Sequence, residues 1–200
     1  MPPLAETNLD PDPFLQFAGW FREAIEAEIP LAEAMTLATA DSDGRPSARV
    51  VLLKGFDDDG FLFFTNYESR KSRELAENPR AALCFWWPVL QRQVRIEGDV
   101  LRLSSGESEA YFATRPRGSQ LGAWASPQSE VIPGRQVLEE TMVELIGRWA
   151  DAPIPRPPHW GGYRLNARSI EFWQNRDDRL HDRFRYTRVD RAWRIDRLAP

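Results

Sequence analysis

Apolar residues recur at helical spacing from residue 14 to residue 29, where Phe14, Phe17, Phe21, Ala24 and Ile25 share one face and Pro30 ends the pattern. That spacing predicts an amphipathic helix laid on something larger. The period then changes. Residues 35 to 40 alternate, and Asp41-Ser42-Asp43-Gly44 supplies turn chemistry. A second strand is expected over residues 47 to 56, with Val50-Val51-Leu52-Leu53 as a buried run, and Asp57-Asp58-Asp59-Gly60 turns the chain into a third, residues 61 to 65. Connections this short join antiparallel hairpins rather than parallel crossovers.

Residues 68 to 77 read as a helix stopped at Asn78-Pro79, and strands follow at 81 to 87 and 91 to 103, with Gly98 a bulge or bend. Ser104 and Glu107 have the spacing of a capping box, which predicts a helix over residues 105 to 114 that Pro116 breaks. Residues 137 to 149 form another helix with Leu138, Met142, Leu145, Ile146 and Trp149 on one face. The proline-rich run 151 to 158 is a stiff connector, and final strands are expected at 163 to 173, 181 to 188 and 192 to 198. Six or more short antiparallel strands with peripheral helices make a mainly β fold, a small closed or split barrel, because closure removes exposed edges. Residues 1 to 13 are expected as a mobile, proline-containing arm and residues 14 to 200 as one domain.

Composition narrows the function. At 42% hydrophobic and 28% charged, 200 residues can bury a core without staples. A net charge of −4 argues against a nucleic-acid or anionic-membrane binder. Cys84 is the single cysteine, so neither an internal disulfide nor a thiolate metal cluster can form. The start of the chain lacks the basic and apolar pattern of a leader, and the longest apolar run, 81 to 90, is interrupted by Pro88 and too short to span a bilayer. A cytoplasmic protein is expected. His159 and His181 are too few for a histidine metal site, and dinucleotide, P-loop and nucleophile-elbow motifs are absent.

What remains is chemistry suited to anions. If residues 179 to 183 are extended, Arg179, His181 and Arg183 share one face and repel one another unless an anion lies between them; a solvated edge strand accounts for the same pattern. Arg49 and Lys54 bracket the apolar run. Five residues apart on a strand, they should face opposite sides and meet different anions or different sides of one ligand, or snorkel as simple strand-end charges. Thr65 to Lys71 passes from a strand to a helix N-terminus, a natural phosphate site or a plain cap, with Arg70 and Lys71 in the same turn. Tyr111 and Arg115 are an i,i+4 pair with Ser119 beyond the break, either a second phosphate clamp or a surface pair. Gln93 and Gln128-Ser129 offer neutral groups for a heterocycle edge. Lys54 and Lys71 are the only lysines among 26 basic residues, a bias codon usage explains, but their places invite attention.

Taken in order, Arg49-Val-Val-Leu-Leu-Lys54, Phe64-Thr65-Asn66-Tyr67-Glu68-Ser69-Arg70-Lys71, Arg92-Gln93-Val94, Tyr111-Phe112-Ala113-Thr114-Arg115-Pro116, Gln128-Ser129, Glu171-Phe172-Trp173-Gln174 and Arg179-Leu180-His181-Asp182-Arg183 resemble the pyridoxine/pyridoxamine 5′-phosphate oxidase family over residues 14 to 200. The resemblance implies an antiparallel FMN-binding split barrel, working as a homodimer with flavin at the subunit interface. It implies oxidation of pyridoxamine or pyridoxine 5′-phosphate by O2 to pyridoxal 5′-phosphate and H2O2, by hydride transfer from substrate C4′ to flavin N5. On that resemblance Arg49, Val50, Val51, Leu52, Leu53, Lys54, Phe64, Thr65, Arg70, Lys71, Gln93, Gln128, Ser129, Trp173 and Arg183 would hold FMN. Lys54, Tyr111, Arg115 and Ser119 would clamp the substrate phosphate, and Arg179 and His181 would lie against the pyridine ring as catalytic residues. Phe64, Ser72 and Asn175 depart from the family's usual tyrosine, glycine and glycine, and none of these changes removes a charged ligand. Rival expectations are the related phenazine-pathway oxidase, which should not need a complete phosphate clamp, and a flavin- or pyridoxal-phosphate-binding protein without turnover.

Overall fold

The longest strand runs from Trp160 to Gln174, and the rest of the sheet is arranged along it. The computed structural model describes residues 3–200. In chain order its helices are α1 (Pro13–Glu26), α2 (Arg70–Glu77), α3 (Ser105–Thr114), α4 (Arg117–Ala125) and α5 (Gln136–Trp149). The strands are β1 (Ala34–Ala40), β2 (Pro46–Leu52), β3 (Gly55–Asp57), β4 (Gly60–Asn66), β5 (Arg80–Trp87), β6 (Arg92–Arg102), β7 (Trp160–Gln174), β8 (Asp182–Val189) and β9 (Ala192–Arg197). All pairings are antiparallel, in the order β2-β1-β5-β6-β7-β4-β3, with β8 and β9 branching from β7.

The branch is what splits the barrel. β6 pairs with one edge of β7 along most of its length. The other edge is shared, β4 taking residues 160–165 and β8 taking residues 169–174. The register slips between Glu97 and Gly98, where a Cβ on Gly98 would lie 2.0 Å from the Asn166 carbonyl oxygen. Only glycine fits there, and the bulge bends the sheet. The sheet curls into a half-barrel, and residues of β2 and β4 come to line one cavity.

α1 plugs the apolar side. Asp12 caps it by accepting from the Phe14 amide at 2.8 Å, and Pro13 takes the first helical position. Phe17 is fully buried against Phe21, Phe56, Phe61 and Phe85. The predicted inward face needs one correction, because Ile25 is 57% exposed while Trp20 is buried against Phe172 and beneath the Arg92 guanidinium. A second apolar cluster joins Phe112, Leu121, Ala125, Leu145, Ile154 and Trp160.

Four other expectations are corrected. The single strand over residues 47 to 56 is two, because the Leu53 amide bonds Glu33 and the Lys54 amide bonds Leu62 as the chain changes partner. β2 is an edge strand, and Val50 is 67% exposed rather than buried. Residues 117–125, which had no predicted helix, form α4 directly after Pro116. Residues 179 to 183 are not extended throughout: a 3-10 turn spans Asp177–Arg179, with φ of 55° at Asp178 and 62° at Arg179, and β8 starts at Asp182. Asp177-Asp178 is turn chemistry that the alternation argument passed over.

The arm expected over residues 1 to 13 is described from Pro3 onward, and there it makes specific contacts. Leu4 is buried, Glu6 meets Arg197 at 2.7 Å, and the Tyr186 hydroxyl donates to Asp10 at 2.7 Å. Proline forbids regular hydrogen bonding without forbidding contact. Among the described residues no helix is long and apolar enough to cross a membrane. For the bulge, Gly98→Ala is expected to lower stability by about 2–3 kcal/mol, read as a lower urea midpoint; an unchanged midpoint would contradict the close approach.

Candidate active site

The chain break at Leu53 decides the geometry of the site. Because β2 ends before Lys54, the odd spacing from Arg49 no longer sends the two cations to opposite sides, and both line a cavity of about 350 Å³. Val50, Val51, Leu52, Phe64, Thr65, Lys71, Tyr111, Arg115, Gln128 and Trp160 complete its wall. The expectation that Arg49 and Lys54 face opposite sides is therefore corrected: both meet at one cavity. Leu53 itself turns into the core.

Lys71 sits in the first turn of α2 and is 8% exposed. Its ammonium donates to Gln128 Oε1 at 2.6 Å, Thr65 Oγ1 at 3.1 Å and Ser69 Oγ at 3.2 Å, all neutral acceptors. Burial pulls its pKa down to about 8; the charge of Arg49 adds to that and the Glu74 carboxylate opposes it. Arg115 lies over the Trp160 ring at 4.6 Å, and its Nη1 is buried with no hydrogen-bond partner. Burial lowers its pKa, with Tyr111 opposing. Burial also raises the Tyr111 phenol, whose ring stacks on Phe64 at 3.9 Å. Phe64 thus serves through its face, which a missing hydroxyl does not affect.

Glu74 faces the opposite charge problem. Burial alone would raise its carboxyl, but hydrogen bonds from Ser47, Thr39 and Arg70, with the charge of Arg49, hold it at about 2. Thr39, Ser47, Glu74 and Trp160 were not singled out from the chain. Only the Arg70–Glu74 spacing, i and i+4 on a helix, carried a signal.

Other expected residues lie elsewhere. Arg70 is outside the lining and pairs with Glu74 at 2.8 Å. Ser119 is exposed on the first turn of α4. Ser129 follows Gln128 with φ of 76°, a strained backbone for a side chain with a Cβ. Gln93, Trp173 and Arg183 gather at the far end of β7, Trp173 standing opposite both of the others. His181 is 4.6 Å from the Trp173 ring, and its Nδ1 accepts from the Arg176 amide at 3.2 Å, leaving Nε2 free to carry the hydrogen. Arg183 is held by Glu171 at 2.9 Å, and Arg179 is exposed on its turn. Thr65 pairs with Gly161, while Gln93 pairs with Trp173. Those positions are roughly 40 Å apart along the strand at the usual rise of about 3.3 Å per residue. One chain therefore holds two half-sets and does not join them.

A curled antiparallel half-barrel with a cationic cavity between β2, β4 and α2 defines a split-barrel protein. Residues 21–148 match the family model described as pyridoxamine 5′-phosphate oxidase, and residues 160–200 match the pyridoxine 5′-phosphate oxidase C-terminal dimerisation region. Proteins named pyridoxine/pyridoxamine 5′-phosphate oxidase from Cupriavidus necator and Acaryochloris marina are 59% and 56% identical, across 98% of this chain and 93% and 90% of theirs. Among solved structures, PhzG from Burkholderia lata 383, in complex with tetrahydrophenazine-1-carboxylic acid, superposes with a TM-score of 0.93 at 34% identity over 98% of both chains. A pyridoxamine 5′-phosphate oxidase-related, FMN binding protein from Nostoc punctiforme shares the fold, with a TM-score of 0.74 at 22% identity over 96% of this chain and 99% of that one. The chain belongs to the pyridoxine/pyridoxamine 5′-phosphate oxidase family of enzymes.

Lys71 yields a pH prediction. An anion at its ammonium favours the charged form and raises its pKa, so binding takes up a proton and affinity falls as pH rises through about 8. FMN affinity, measured by fluorescence quenching, is expected to drop about tenfold from about pH 7 to about pH 9, and Lys71→Met should bind weakly without that slope. A flat wild-type profile would place the anion away from Lys71.

Proposed function

We propose that this protein is an FMN-dependent oxidase that converts pyridoxamine or pyridoxine 5′-phosphate, with O2, to pyridoxal 5′-phosphate and H2O2, the amine substrate also releasing ammonia. The observation that carries the reading is a pair of cations, the buried Lys71 and the half-buried Arg115 with its Nη1 enclosed, facing one cavity with no carboxylate bonded to either. Taking unpaired charge out of water is costly, and the phosphates of cofactor and substrate would offset that cost. The naming of relatives 56–59% identical supplies the substrate class.

The donor set fits a flavin mononucleotide. Arg49, Arg70, Lys71, Thr65 and Gln128 would hold its phosphate end from one chain. Gln93, Trp173 and Arg183 would meet its ring from a second copy, since one chain keeps the two sets apart. The match of residues 160–200 to a dimerisation region supports a homodimer with the cofactor at its interface. Bound FMN would supply the two-electron chemistry, accepting hydride from C4′ at N5 and passing the electrons to O2.

The protein's own work is binding and orientation. Lys54, Tyr111 and Arg115, which line the cavity, would grip the substrate phosphate, a remote group whose fixation would bring C4′ into reactive position. Ser119 would join them by a turn of its exposed side chain. Arg179 and His181 orient the pyridine ring and stabilise charge as hydride leaves, with His181 offering Nε2–H as a donor.

Two tests follow. Anaerobic addition of pyridoxamine 5′-phosphate to the yellow protein should bleach the flavin band, and air should restore it with peroxide. A yellow protein that neither this substrate nor pyridoxine 5′-phosphate bleaches would move the assignment to another substrate, such as a phenazine precursor. Separately, Arg115→Ala should raise KM at least tenfold with a smaller change in kcat, whereas Arg179→Ala should lower kcat while leaving FMN affinity within about twofold. Unchanged KM in the first, or unchanged kcat in the second, would remove that residue from its role.

A further inference from the structure

We infer that Glu74 is a positioning residue for the phosphate of the bound flavin, acting through Arg49 and Arg70; this rests on the flavin reading above. An acidic side chain beside an anion site opposes the ligand by its charge, so its presence needs a reason. The geometry provides one. Glu74 is almost fully buried on α2, one turn after Arg70. Its Oε1 accepts from Arg70 Nε at 2.8 Å. Its Oε2 accepts from Thr39 Oγ1 at 2.5 Å and from Ser47 Oγ at 2.6 Å.

Those two hydroxyls are bridges. Thr39 Oγ1 accepts from Arg49 Nη1 at 2.5 Å, and Ser47 Oγ accepts from Arg49 Nη2 at 2.5 Å, so each passes its own hydrogen to Glu74. Arg49 Nη2 also lies 3.4 Å from the carboxylate, and Nη1 donates to the Leu37 carbonyl at 3.2 Å. One carboxylate on α2 thus fixes a guanidinium on β2 through two hydroxyls, and a second guanidinium on its own helix directly. Arg49, which lines the cavity, is presented prealigned, and the entropy of ordering it is spent on folding rather than on binding; Arg70, outside the lining, is held one turn away on the same helix. Three cations, Arg49, Arg70 and Lys71, still outnumber the one carboxylate, so the net field favours an anion.

Glutamine cannot replace it. Its single oxygen can serve the two hydroxyls, but then its amide N–H meets the Arg70 N–H, donor against donor; turned round, it loses the bridges. Hence the test. Apo-protein is titrated with FMN and with riboflavin, which lacks the phosphate, following flavin fluorescence. Glu74→Gln is expected to weaken FMN about tenfold and riboflavin less than about twofold, and Ser47→Ala to weaken FMN alone by about threefold. FMN binding that is unchanged or tighter in Glu74→Gln would show a mere counter-charge and overturn the inference. Equal losses for both ligands would show a general structural role and also overturn it. If Glu74→Gln does not fold, Ser47→Ala decides: loss confined to FMN sustains the inference, and no loss overturns it. Wild-type protein that binds neither ligand would overturn the flavin reading itself, and the inference with it, a result distinct from the others.

Discussion

Lys71 carries its ammonium into the wall of a cavity and finds only neutral oxygens there, from Thr65, Ser69 and Gln128. Arg115 brings a second cation to the same space with one nitrogen unsatisfied. The surrounding structure supports this arrangement at an electrostatic cost that is visible in the lowered pKa of both groups. A fold tolerates such a cost when a ligand removes it. On the proposed reading, the phosphates of cofactor and substrate would complete the ion pairs that the cavity leaves open. Glu74, the acidic group that tempers this field, is bonded to Arg49 and Arg70 rather than to Lys71 or Arg115.

The same constraint explains the topology. β7 is long enough to pair with two strands in succession on one edge, and the cavity lies at its Trp160 end, beside β4 and β2. Its length also separates the phosphate-binding half-set near Gly161 from the aromatic half-set around Trp173. Trp173, exposed Trp86 and His181 form an aromatic cluster, while the cations that line the cavity lie toward the other end of β7. On the proposed reading a second copy would supply what the first lacks, and an isologous pair would create two complete sites at once.

Local rules were readable where one interaction dominates. The Ser104–Glu107 box forms as expected, with the Ser104 amide donating to Glu107 at 2.9 Å, and Gly98 sits at the register slip. Helical period located α1, but not which of Trp20 and Ile25 turns inward; that depends on Phe172 and Arg92 arriving from distant strands. Arg49 and Lys54 were legible as charges bracketing an apolar run and illegible as neighbours, because a change of strand partner at Leu53 resets the alternation. Arg179 was read on a strand that the Asp177-Asp178 turn precludes. The buried Glu74 gave little sign, since its partners Thr39 and Ser47 are unremarkable in sequence and meet it only when α2 packs beside β1 and β2.

The most direct measurement is subunit complementation. A variant disabled in the phosphate half-set, Lys71→Met, and one disabled in the ring half-set, Trp173→Ala, are each expected to be nearly inactive. Unfolded together and refolded as a mixture, half the dimers would be mixed, and each mixed dimer would hold one site with neither lesion. Activity should then recover to roughly a quarter of wild type. Recovery at that level would show that each site draws on both chains. A mixture as inactive as its parents, although mixed dimers form, would mean that one chain builds the whole site and would contradict the account.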